Sequence, residues 1–166
     1  MFDPLHLPRV VLRQITHKDA IRLHTILNNR KVAQYNDYTI PLSKQDIKQL
    51  IQDDISAFYE GEGIRIAIEH TLLKQLIGTC GLYKITASTK SAYLAFELAP
   101  DYWHKGFMSE VLHALLPVLI AKYELNTLFA CVNSKNLASC SLLKKLGFSK
   151  KVHEDIWYIH TNATYK

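Results

Sequence analysis

Cysteine is scarce in this chain. Cys80, Cys131 and Cys140 are its three, an odd number with no CxxC spacing. A disulfide framework is therefore not expected, and a reducing, cytoplasmic setting is the default. Cys131 and Cys140 could meet in space, but two small buried residues are the simpler account. Long hydrophobic runs are missing too: none approaches the roughly 20 residues that cross a bilayer. The start, Met1-Phe2-Asp3-Pro4, lacks the basic segment and apolar core of a secretory signal. None of the eight histidines stands in HxxxH or HExxH, so no metal site is expected. The absence of GxxxxGK[ST] and GxGxxG disfavours ATP and dinucleotide enzymes. Charge of one sign never clusters into a long run, although the formal net charge is +5. That modest excess suits an anionic cofactor or an anionic assembly such as the ribosome. It argues weakly against a polycationic substrate, and no nucleic-acid motif accompanies it.

What is present is ordinary globular composition, 48% hydrophobic and 21% charged, over 166 residues. One domain spanning 1–166 is the simplest organisation. Val10 to Ile15 reads as a strand. Thr16 with Asp19 and Ser43 with Asp46 are capping pairs, each followed by apolar residues at helical spacing. The first helix carries Leu23, Ile26 and Leu27; the second carries Ile47, Leu50, Ile51, Ile55 and Phe58. Between them, Val32 to Pro41 reads as an irregular aromatic loop. Ile64 to Glu69, Leu76 to Ile85 and Ser91 to Leu98 are three successive strands, expected as an antiparallel meander. A helix to about Lys122 follows, kinked at Pro117. Thr127 to Val132 is a strand, Asn133 to Asn136 caps a short helix that Gly147 ends, and Lys150 to Ile159 reads as a last long strand. Ala163 to Tyr165 is expected to begin another. The strand-helix-strand unit predicts one parallel crossover, hence a mixed sheet flanked by helices.

The segment Tyr102-Trp103-His104-Lys105-Gly106-Phe107-Met108-Ser109-Glu110 joins a strand end to a helix start. A glycine there lets backbone approach a ligand, and the first helical turn offers free N–H groups and the positive end of the dipole. Such an arrangement suits phosphate or pyrophosphate. An ordinary loop with one turn glycine has the same sequence, and context has to decide.

That context resembles the GCN5-related N-acetyltransferases, and within them the Rim-type branch that acetylates ribosomal-protein N-termini. The resemblance runs from Arg9 to about Ile159. Its pieces are Val10-Val11-Leu12-Arg13 with Asp19, Ile77 to Leu82, Phe96 to Glu110, and Val132 to Ser139 with Lys145-Leu146-Gly147-Phe148. It implies a mixed α/β fold: a mostly antiparallel sheet of six to seven strands, flanked by about four helices, with a splayed strand pair that binds the cofactor. It also implies acetyl-CoA as donor and an amine as acceptor, with direct transfer and no metal. Backbone amides of Lys105, Gly106, Phe107, Met108 and Ser109 would hold the pyrophosphate. The strand around Phe96 and Leu98, bulged in the family, would pair with the pantetheine arm. Asn136 would hydrogen-bond the cofactor near its thiol. Two departures are a histidine at 104, where a glycine is frequent, and bulky Met108. A third is Leu143, where many relatives carry a tyrosine acid; Ser139 is the replacement the Rim-type pattern suggests.

Transfer requires a neutral amine. A protein α-amine, with a pKa of about 7.7–8.0 against about 10.4 for lysine, needs only mild help. Glu97 is the candidate base, acting directly or through water. A carboxylate on a strand also serves as a solvent-facing or salt-bridged residue, and both readings stand. A backbone N–H of the same strand would meet the oxyanion. Ser139 could protonate the thiolate or simply bond backbone in the first helical turn. Tyr35, Tyr38 and Tyr59 are candidates for the acceptor mouth. Cys140 is read as a small helix residue rather than a nucleophile. The preferred acceptor is a protein N-terminus, ribosomal proteins included. A small-molecule amine is the first alternative, which an acidic acceptor pocket would favour; a CoA-binding module without turnover is the second. A monomer or homodimer is expected.

Overall fold

The computed structural model describes residues 2–161; the strand expected at Ala163 to Tyr165 lies outside them. In chain order the elements begin with β1 (Leu5–His6), β2 (Val10–Gln14), α1 (Ala20–Leu27), α2 (Arg30–Ala33) and α3 (Lys44–Glu60). The meander follows: β3 (Ile64–His70), β4 (Leu76–Thr86) and β5 (Ser91–Leu98). Then come α4 (Phe107–Lys122), β6 (Thr127–Cys131), α5 (Leu137–Lys145), β7 (Ser149–Lys150) and β8 (Ile156–His160). The strands form one sheet in the order β1-β2-β3-β4-β5-β6-β8-β7, antiparallel except for β5 against β6. The expected mixed α/β fold is present, with eight strands rather than six or seven and five α-helices rather than about four among the described residues.

Both capping boxes form. Ser43 Oγ accepts from the Asp46 N–H at 3.1 Å, and the Asp46 carboxylate accepts from the Ser43 N–H at 2.7 Å. At the first box, Asp19 also accepts two bonds from Arg13, at 2.7 and 2.9 Å, so it ties α1 to the sheet as well as starting its helix. Burial alone would raise the Asp19 pKa. Its hydrogen bonds from Arg13 and Thr16 outweigh that and hold it below the ordinary value.

The helices cover both faces of the sheet. On one face Val111, Leu112, Leu115, Leu116 and Leu119 of α4, all 0% exposed, pack with Leu12, Ile66, Leu94 and Leu128. Burying those five side chains contributes on the order of 10 kcal/mol before chain entropy is subtracted. On the other face Leu23 and Ile26 of α1 pack with Ile47 and Ile51 of α3 over Ala67. No described helix is long and apolar enough to cross a membrane.

Several local expectations are corrected. The loop after α1 contains α2, started by Asn29, whose side chain accepts from the Lys31 N–H at 2.9 Å. The last long strand is two strands. His153, at φ 62°, takes the left-handed conformation between them, in a stretch with only one apolar residue, Val152. As expected, helix α4 runs to Lys122 with Pro117 inside it; Pro117 lies on its exposed side with His113, so water can serve the carbonyl that proline leaves without a donor. Cys131 is exposed and Cys140 half-buried; only Cys80 is buried, and all three are free.

Candidate active site

Strands β5 and β6 pair only from Ser91 to Tyr93 against Thr127 to Phe129. Beyond Tyr93 they part, and Leu94 to Leu98 are paired on the β4 side alone. Just past β5, the Ala99 N–H donates to the Ile77 carbonyl at 2.8 Å. Antiparallel alternation then turns the backbone groups of Glu97 toward β4 and those of Phe96 and Leu98 toward the gap. The Leu98 carbonyl is already taken by Trp103 Nε1 at 2.7 Å. What remains open is the Leu98 N–H and both backbone groups of Phe96. The register of β5 on β4 is unbroken from Tyr93 to Leu98, so the wedge comes from β6 turning away and not from the expected bulge.

At the head of the wedge the chain turns into α4. His104 and Gly106 both have positive φ, 57° and 76°, and Gly106 is the residue before the first helical turn. The Glu110 N–H is bonded back to the Gly106 carbonyl at 3.0 Å, leaving the amides of Phe107, Met108 and Ser109 without intrahelical partners. The Met108 side chain is 8% exposed and lies in the core, so its bulk is kept off the loop surface. Arg9 holds this turn from β2's start. It donates to the Lys105 carbonyl at 2.8 Å and to Glu110 at 2.7 Å, and its guanidinium stacks on Phe107 at 4.1 Å. Lys105 Nζ donates to the Asp101 carbonyl at 2.7 Å.

Helix α5 closes the far wall. Asn136 Oδ1 accepts from the Ser139 N–H at 3.2 Å and caps the helix, which leaves Nδ2 for a ligand. Ser139 is half-buried, and its hydroxyl has no partner among the described residues. Leu143 is 0% exposed, inside the core. The resulting cavity, about 530 Å³, is lined by all the expected site residues except Lys105, and by Tyr35 as well.

Glu97 lies in the wall of this cavity and also of a second one, about 400 Å³, bounded by Leu27, Tyr38, Leu50 and Arg65. Its carboxylate is salt-bridged: Oε1 accepts from Arg65 Nη1 at 2.7 Å and from the Thr79 hydroxyl. Arg65 Nε donates to Asp54 of α3 at 2.5 Å. Burial raises the Asp54 pKa, and Arg65 opposes this only in part. Tyr38 donates to the Leu27 carbonyl at 2.9 Å. Its pKa is pushed up to about 12, first by burial and next by the Glu97 charge. Asp37 and Asp46 also border the second cavity, whereas Tyr59 borders neither.

The structure brings the loop, Asn136 and Glu97 to the wall of one cavity, and it adds Arg9, Arg65, Thr79 and Asp54, which the sequence did not single out. A signal existed for Arg65: a cation between Ile64 and Ile66 in a buried strand needs an anion nearby.

A model of the acetyltransferase (GNAT) domain matches residues 9–149. The N-acetyltransferase YoaA of Bacillus subtilis is 33% identical over 151 residues, covering 91% of this chain and 85% of that protein. Among solved structures, the ribosomal-protein-S5-alanine acetyltransferase of Vibrio fischeri superposes with a TM-score of 0.85 at 15% identity, covering 98% of this chain and 99% of that one. The spermidine N-acetyltransferase of Vibrio cholerae, in complex with CoA and spermine, superposes with a TM-score of 0.82 at 22% identity, covering 96% and 99%.

Proposed function

Because the chain belongs to the GNAT acetyltransferase family, we propose that it is a cytoplasmic enzyme that moves an acetyl group from acetyl-CoA to a primary amine, the N-terminal amine of a protein. The observation that carries this reading is the place of Glu97, in the wall shared by two cavities. One cavity has the features acetyl-CoA needs. The free amides at the start of α4 suit its pyrophosphate, the open edge of β5 suits its amide-bearing arm, and Asn136 Nδ2 suits its thiol end. The other cavity, on the α1 and α3 side of the sheet, is the acceptor's.

When bound, acetyl-CoA supplies the activated acetyl group. The amine nitrogen bonds to the acetyl carbon, the carbon–sulfur bond breaks, and sulfur leaves with the electron pair. Glu97 Oε2 takes the amine's proton, directly or through one water. Ser139 returns a proton to the sulfur. Leu143 cannot do so, and a thiolate leaves readily enough for that step to be dispensable. The upper walls of the acceptor cavity come from α1 and the segment after α2, and they decide which amine enters.

The ribosomal-protein acetyltransferase among the structural neighbours supports a protein acceptor. The acidic lining supports a second reading, a small cationic amine, since Asp37, Asp46 and Glu97 face a single cation, Arg65. The test is CoA release from acetyl-CoA with free-ended peptides, the same peptides blocked at the N-terminus, and small amines including spermidine. Release with free-ended peptides alone supports the protein acceptor. Release with small amines alone transfers the assignment to them.

A further inference from the structure

Arg65 Nη1 donates to two oxygens, Thr79 Oγ1 at 3.0 Å and Glu97 Oε1 at 2.7 Å. A guanidinium has donors only, so Thr79 Oγ1 accepts from it. The single hydroxyl proton of Thr79 is then left for its other neighbour, Glu97 Oε1. That oxygen receives two donors, and a proton added to it would oppose the hydroxyl hydrogen. Oε2 has no hydrogen-bond partner among the described residues, and Glu97 borders both cavities. At the other edge of the guanidinium, Asp54 holds Nε at 2.5 Å and so fixes its rotation. Thr79 is 0% exposed, so its hydroxyl is withdrawn from bulk solvent.

We infer that Arg65 is a positioning residue: anchored by Asp54 on α3, and acting with Thr79, it fixes Oε2 as the Glu97 oxygen that receives the amine's proton. The inference rests on Glu97 as the base. It gives α3, which also lines the acceptor cavity, a part in orienting the base. Around Glu97 the other titratable groups are Arg65 from β3, Asp54 from α3, Cys80 from β4 and Tyr38 from the segment after α2, with Asp37 and Asp46 on the border of the same cavity. Tyr38 at about 12 and Cys80, raised by burial, stay protonated at working pH.

The experiment compares Thr79→Val, Thr79→Ser, Asp54→Asn, Glu97→Gln and the Thr79→Val/Glu97→Gln pair. A free-ended peptide pool is the acceptor, or spermidine where peptides are not turned over. Valine removes the hydroxyl at nearly constant volume. It should lower kcat about tenfold, leave KM for acetyl-CoA unchanged, and move the acid limb of kcat/KM to higher pH, since a donor to the charged carboxylate is gone. Serine should restore both. Asp54→Asn should lower kcat without removing the limb. In the Glu97→Gln background the valine effect should vanish. A Thr79→Val profile that superposes on wild type, or an equal loss in the Glu97→Gln background, overturns the inference while leaving Glu97 as base. Full activity in Glu97→Gln alone overturns both, and is told apart by that single variant.

Discussion

Replacing Asp19 by asparagine keeps the shape of a side chain that ties α1 to the sheet and removes its charge. In the native protein Asp19 accepts two bonds from Arg13, at 2.7 and 2.9 Å, and one from the Thr16 N–H at 2.9 Å, with a side-chain exposure of 6%. Breaking a buried ion pair from one side costs about 3–5 kcal/mol. Glu69 stays on Arg13 at 2.9 Å and limits the uncompensated charge, and asparagine can still accept from Thr16. The expected loss is therefore near the low end, about 3 kcal/mol at pH 7 by urea denaturation. That corresponds to a melting temperature lower by roughly 6–12 °C. The sign with pH follows from the depressed folded-state pKa of Asp19. The folded state binds fewer protons than the unfolded state, whose carboxylate titrates near about 3.9. The contribution is complete above about pH 5 and is lost as pH falls through the folded value. The gap between wild type and variant should narrow below about pH 4. A gap under about 1 kcal/mol at pH 7, or one as large at pH 3 as at pH 7, refutes the reasoning.

Four further predictions concern the site. Glu97→Gln should lower kcat about 100-fold or more while calorimetric binding of acetyl-CoA stays within about twofold, a difference of under 0.5 kcal/mol. Gly106→Ala should cost about 1–2 kcal/mol of stability through its positive φ alone, since an added Cβ meets nothing nearer than Arg9 Nη2 at 3.6 Å. His104→Gly relieves the same kind of conformation and should raise the melting temperature slightly. Asn136→Asp keeps the oxygen that caps α5 and deletes the Nδ2 donor. It should weaken acetyl-CoA binding with little change in thermal stability, and loss of both together would mean that capping is the residue's whole role.

Local chemistry was the readable part of the sequence. Ser43 with Asp46 and Thr16 with Asp19 announce helix starts because the groups that satisfy each other lie three residues apart. Gly61, at φ 77°, ends α3 as a left-handed cap for the same local reason. Strands of two residues, such as β1 and β7, are too short to show a period and exist only because β2 and β8 offer partners. The site divides along the same line. The turn at Gly106 and the cap at Asn136 are contiguous in sequence. The grip on Glu97 joins it to Arg65, 32 residues away, and to Thr79, 18 away, while Asp54 stands 11 from Arg65. No spacing rule reports those partners, because sheet register brings Arg65, Thr79 and Glu97 together and the packing of α3 on the sheet adds Asp54.

Among the described residues, the border strands of the sheet, β1 and β7, are two residues long, a length that gives another chain little to pair with. The longer run of one-sided strand, Leu94 to Leu98, is recessed in the middle of the molecule between α4 and α5. A surface that would invite self-association on the outside of a protein is thereby reserved for a small molecule. Occupancy of the wedge at about 100 times Kd would add about 2.7 kcal/mol to the native state. It would also cover a strand that, in a heated and unliganded population, is a ready template for the same strand in another copy.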